Sequence, residues 1–356
     1  MKMNRLLSRA CLALFLLPAA ALFAWDYPGH RIVNEAALAS LPADFPGFVR
    51  EPDAAARIAF LAGEGDRWRN VPDLILKQSG PSWTDHFMDV EQLAEAGLDV
   101  TTLPSFRLDF AVAFAAGRAA HPERFPLIDP AKNTDHTREW PGFAPWTITE
   151  SYAKLKSAFA YLKAFEENGT PEEVANAKAN ALYVMGVMGH YVGDLAQPLH
   201  TTIHHNGWVG ENPQGYTTWS GLHSWIDGGF IAKAGITPAE VLAKVQPAQP
   251  LSLAPRADHR EPVFAAVMDY LMAQHALVET VYQLDKAGKF KVDGVADNAD
   301  GRAFIDGQLL KGGEMLGALW LTAWKDAPID VYLRAQLLKR KAAEAGATSG
   351  APAAGK

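Results

Sequence analysis

The chain has 356 residues, 49% hydrophobic and 21% charged, enough for a large packed core and incompatible with a disordered polyelectrolyte. Its formal net charge of -7 argues against a tight, extended nucleic-acid-binding face, which needs clustered cations. It leaves open an enzyme whose bound metal ions hold a phosphate.

The first residues bear on the compartment. Lys2, Arg5 and Arg9 precede an apolar run from Ala10 to Phe23, broken by Pro18, and Ala24 is a small residue at a cleavage point. Residues 1–24 therefore read as a signal peptide, too short for a comfortable transmembrane span. A membrane anchor is the competing reading, and no stop-transfer pattern follows to support it. Cleavage would make Trp25 the N-terminus, remove Cys11, the only cysteine, and take away three cations, moving the net charge from -7 to -10. The mature chain is expected to be secreted or periplasmic and free of thiols. Any metal site in it must then use His, Asp, Glu or main-chain groups.

Helical periodicity dominates the remainder. The first helix is predicted from His30 to Leu41, stopped by Pro42. Others follow near 105–120, 148–167, 171–199, 222–234, 261–286 and 302–325. Thr170-Pro171-Glu172-Glu173 is a strong helix start, with a capping hydroxyl, a first-turn proline and acidic residues at the positive end of the dipole. Strand-like alternation is scarce and no repeat or linker divides the chain, so one all-α domain over residues 25–340 is expected, as a monomer. Residues 62–106, 121–147 and 204–221 read as long loops, and the Ala/Gly/Ser/Pro-rich end, 341–356, as a disordered tail.

The segment MGVMGHYVGDLAQPLH carries the strongest chemical signal. His190 and Asp194 are one helical turn apart on one face, and His200 follows where Gln197-Pro198 should end the helix. GLHSWIDGG repeats the arrangement with His223 and Asp227. One such pair is commonly a surface hydrogen bond. Two pairs plus a further histidine, the first pair in an apolar helix where an uncompensated carboxylate is costly, point to a metal site. His and Asp donors without Cys suit zinc with open, catalytic positions. Upstream, Asp66 in GEGDRWR and His86 in SWTDHFMDVE, with Asp85 and Asp89 beside it, are further candidates. A free amine on Trp25, with its own carbonyl, could chelate a metal, and His30 could add an imidazole.

These pieces resemble the zinc-dependent phospholipase C and single-strand-specific nuclease superfamily. WDYPGH, GDRWR, DHFMD, HYVGDLAQPLH and LHSWID stand in that family's order across residues 25–227. The resemblance implies an all-helical fold and three zinc ions. Trp25 and His30 would hold one, Asp66, His86 and His190 a second, with Asp194 bridging the two; His200, His223 and Asp227 would hold the third. It also implies hydrolysis of a phosphate ester, with Asp66 and Asp194 taking part around the attacking water. The HxxxD form of the last element favours the nuclease branch, acting on single-stranded nucleic acid or nucleotides without a stable complex. A phospholipase C acting on phospholipid head groups is the alternative. A non-catalytic zinc-binding protein, or a helical domain whose His/Asp pairs are structural, are readings from other classes. Two departures stand out. The family's Gly-Gly-Asn element is replaced by IHHNGWVGENPQGY, which leaves His204 and His205 without a role. The Asp66 to His86 spacing is long, which makes Asp73 a rival for Asp66. Trp83, Phe87, Trp208 and Trp219 are candidate aromatic walls for a base or acyl group.

Overall fold

The computed structural model describes residues 26–70, 73–293 and 297–349. The expected signal peptide and Trp25 lie outside the described residues. The fold is all-α, with no strand among the described residues. No helix described is long and apolar enough to cross a membrane.

The helices in chain order are α1 (Tyr27–Ser40), α2 (Pro52–Leu61), α3 (Glu64–Asn70), α4 (Leu74–Gln78), α5 (Glu91–Glu95), α6 (Arg107–Ala120), α7 (Ala144–Asn168) and α8 (Pro171–Ala196). After them come α9 (Leu222–Ser224), a π-helical turn (Trp225–Phe230), α10 (Ile231–Ala234), α11 (Pro238–Leu242), α12 (Pro262–His275), α13 (Val278–Lys286), α14 (Ala299–Asp326) and α15 (Val331–Ser349).

α8 is the hub. It starts as its sequence predicts: the Thr170 hydroxyl accepts from the Glu173 amide, the Glu173 carboxylate accepts from the Thr170 amide, and Pro171 opens the first turn. Toward its C-terminus the helix is enclosed on all sides, buried at every position from Met188 to Ala196. It packs against α1, α2, α3, α7, α12 and α14. Small residues permit this crowding. A Cβ on Gly65 of α3 would lie 2.4 Å from the ring of His190, so only glycine lets α3 come this close to α8. α1 packs along α14, with Val33, Ala36 and Ala37 against Gly312, Gly313 and Gly317.

Several expected boundaries change. Residues 62–106 are not one long loop: they contain α3, α4, α5 and short 3-10 turns. These helices are only one or two turns long, below the length at which a hydrophobic stripe becomes readable. α2, a short helix that opens on Pro52, was not expected. The helix expected over 261–286 is two, α12 and α13, parted at Ala276-Leu277. α15 runs to Ser349, into the stretch expected to be a disordered tail; its alanine content favours helix even where little is buried.

Candidate metal centre

The buried turn of α8 presents His190 and Asp194, both 0% exposed, to a space closed by α1, α3 and the 3-10 turn Thr84–His86. α1 brings His30 and α3 brings Asp66. The 3-10 turn brings His86. Three trios of potential ligand atoms, each mutually within 4.8 Å, result: His30, His190 and Asp194; Asp66, His86 and His190; His200, His223 and Asp227. All the described residues expected to be ligands are brought together. Asp73 is not. It is exposed and caps α4, accepting from the amides of Ile75 and Leu76.

Main-chain carbonyls orient the imidazoles. A carbonyl can only accept, so the ring nitrogen facing one must carry the proton, and the other keeps its lone pair. His86 Nε2 donates to the Pro81 carbonyl at 2.9 Å, and His190 Nδ1 to the Ala62 carbonyl at 2.8 Å. Their lone-pair nitrogens, His86 Nδ1 and His190 Nε2, then face one another at 3.0 Å. Asp194 Oδ2 stands 3.0 Å from the first and 3.5 Å from the second. Asp66 Oδ1 lies 3.9 Å from His190 Nε2 and also accepts from Arg69 at 3.3 Å. His30 stacks on His190 with centroids 4.1 Å apart. Among the described residues neither of its nitrogens has a hydrogen-bond partner, and Nε2 is 3.4 Å from Asp194 Oδ1, itself an acceptor without a donor there.

Acceptors thus converge with few protons to share. Burial holds the His86 imidazole near pKa 4, with the Arg69 charge adding to it, and holds His30 low, helped by the charge of His190. Burial pushes the Asp194 carboxyl well up, against the attraction of His190. A proton on Asp194 could serve one of its contacts. A cation would serve all of them at once. Two imidazole nitrogens on one tetrahedral zinc would stand about 3.3 Å apart, close to the spacing here.

The third trio is built at the end of α8 and on the π-helical turn. Gln197 leaves the helix and its amide donates to Asp227 Oδ1 at 2.7 Å. His200 Nδ1 donates to the His86 carbonyl at 2.8 Å, leaving Nε2 to face His223 Nε2 at 2.9 Å. Asp227 Oδ2 is 3.0 Å from His223 Nε2. The π turn widens the helix at Trp225–Phe230, the sort of local insertion that often re-aims a side chain at a site. The amide of Asp26 donates to the Asp227 carbonyl at 3.0 Å, so the chain before α1 starts beside this trio.

A cleft of about 230 Å³ opens over His86, His200 and His223. Its walls are Trp83, Phe87 and Trp140, with the cations Arg69 and Arg138 and the polar groups of Asp89, Gln92, Thr137, His205 and Asn206. Of the aromatic candidates, Trp83 and Phe87 line it. Trp208 instead packs in a cluster with Tyr216 and Tyr282, its indole N–H bonded to the Glu211 carbonyl, and Trp219 is exposed outside the cleft. Arg138 and Trp140 were missed, since their segment lacks periodicity; a cation and an aromatic ring two residues apart in such a stretch was the available signal.

The chain matches no protein-family model, no curated protein and no solved structure.

Proposed function

We propose that this protein is a secreted, zinc-dependent phosphoric-ester hydrolase of the nuclease and 3′-nucleotidase type. The observation that carries the reading is the pair His86 Nδ1 and His190 Nε2: two imidazole lone pairs, fixed by main-chain carbonyls, aimed at each other and at one buried carboxylate. Hydrogen bonding within the protein does not reward that arrangement; a divalent cation does. The donor set fits zinc, with imidazole and carboxylate ligands and a cleft leaving positions open.

His30, with the main chain of Trp25, would hold one ion, Asp66, His86 and His190 a second, and Asp194 would bridge them. His200, His223 and Asp227 would hold a third. Bound zinc supplies Lewis-acid charge for the phosphate and lowers the pKa of an attacking water toward about 7. The side chains do the rest. Asp66 would orient the attacking water and take its proton as the oxygen–phosphorus bond forms, and the displaced alkoxy group would leave as the alcohol, protonated from solvent. Arg69, held by Asp66 and lining the cleft, offers its guanidinium to a phosphate oxygen. Trp83, Phe87 and Trp140 give the group beside the phosphate apolar surfaces to lie against.

Elemental analysis of the purified, processed protein, followed by assays on single-stranded nucleic acid, 3′-nucleotides and phosphatidylcholine, tests the reading. About three zinc per chain with turnover of the nucleotide substrates is expected. Turnover of phosphatidylcholine alone would move the protein to the phospholipase C branch. Zinc without hydrolysis would leave a zinc-binding protein, and no stoichiometric metal would refute the centre altogether.

A further inference from the structure

Two adjacent histidines, His204 and His205, stand in the loop after the third trio's first ligand, and the fold treats them differently. His204 is used up by its own loop: its ring stacks on Trp208 at 4.0 Å with planes 6° apart, and its Nδ1 accepts from the Val209 amide at 3.0 Å. His205 is not. Its Nδ1 donates to the Thr202 carbonyl at 3.1 Å, which leaves the lone pair on Nε2, and Nε2 has no hydrogen-bond partner among the described residues. The ring lines the cleft with His200 and His223, its centroid 6.2 Å from that of His223. It belongs to none of the three ligand trios, so it is a neighbour of the metal centre.

We propose that His205 Nε2 recognises substrate, accepting a hydrogen bond from a hydroxyl that the alcohol part of a phosphate ester carries near its ester oxygen. This rests on the phosphoesterase reading and adds to it the class of alcohol. The chemistry narrows the partner. A lone pair in a cleft cannot donate to a leaving oxygen; it needs a donor. Ionised phosphate oxygens only accept, and an acyl chain or a quaternary ammonium group offers no O–H or N–H. A hydroxyl does. The next residue repeats the demand: Asn206 lines the same cleft, and its Oδ1 is buried with no donor among the described residues. A ribose and a polyol head group both present such a hydroxyl.

The test compares esters that differ by that hydroxyl alone: a ribonucleoside 3′-phosphate against its 2′-deoxy counterpart, and phosphatidylglycerol against phosphatidylethanol. The zinc-loaded wild type should favour the hydroxylated member of one pair by about ten-fold or more in kcat/KM, and which pair it is names the source. His205→Phe should erase the preference by slowing only the hydroxylated member, with zinc content unchanged. His205→Asn, which keeps an acceptor and a polar shape, should retain part of it and decides the matter if the Phe variant does not fold. Calorimetric binding of adenosine against 2′-deoxyadenosine, or of glycerol against ethanol if the lipid pair responds, should show the same loss without turnover. Equal loss on both members, or loss of zinc in either variant, overturns the proposal. So does wild-type turnover with no hydroxyl preference, which leaves the phosphoesterase reading standing. Absence of turnover on every phosphoester overturns both.

Discussion

Asp194 is the residue on which the centre turns. It is fully buried on α8, its two oxygens reach toward His30, His86 and His190, and its environment favours the neutral acid unless a cation is present. Asp194→Asn keeps the shape and removes the charge. Outer partners of metal ligands cost about 10–100-fold when lost, so under the proposed reading a bridging Asp194 should cost at least about 100-fold in activity when replaced. Zinc content should fall in the same preparation, measured by elemental analysis; full zinc content in the variant would contradict the bridging role. Asp89 makes a different prediction. Burial pushes its carboxyl up to about 7, with the charge of Glu91 adding to it and the Gln92 amide opposing it. The folded state then binds a proton more tightly than the unfolded chain, where an aspartate titrates near 3.9. Between about pH 4 and pH 7 stability should therefore fall as pH rises, by a few kcal/mol at most. Asp89→Asn should flatten that slope and gain on the wild type at pH 8 but not at pH 4, as urea titrations at the two values would show.

At the scale of the elements, the site depends on how closely helices approach. α14 reaches α1 through Gly313, where an added Cβ would sit 2.6 Å from that of Ala36. Gly313→Val should destabilise the fold by about 1–3 kcal/mol, read as a lowered midpoint in denaturant, because neither backbone has room to retreat. α1 also carries His30, so the same variant should weaken metal binding. This scale also shows what a sequence reveals. α8 and its His190 and Asp194 were legible because a capping box, a first-turn proline and a long apolar run all indicated the same helix. α3 was not legible, so Asp66 was expected on a loop and Asp73 stayed its rival. The two separate only when the Asp73 carboxylate is seen capping α4 while Asp66 points at His190. Tautomers were beyond reach for another reason: the carbonyls that fix His86, His190 and His200 are main-chain groups, which leave no mark on residue identity.

At the scale of the molecule, the helices converge on a centre that crowds buried carboxylates and lone pairs together. Such a core is costly without compensation, so under the proposed reading bound metal should be a large part of the folding free energy. Stripping it with a chelator should lower the thermal midpoint, and adding zinc back should restore it. Each site filled at a hundred times its dissociation constant contributes about 2.7 kcal/mol. An unchanged midpoint after verified removal would mean that the protein, not an ion, balances these groups.

His86 has one further consequence. Its ring faces Asp194 and His190 while its own carbonyl receives the proton of His200 Nδ1. A single residue is therefore shared by the two halves of the candidate centre. A shift of the His86 backbone would move both the ring and the carbonyl that orients His200. The halves meet at one residue, and under the proposed reading they should fill as a coupled set: a zinc titration of the stripped protein should rise more steeply than independent binding allows, and His200→Ala should reduce affinity in the half it does not touch.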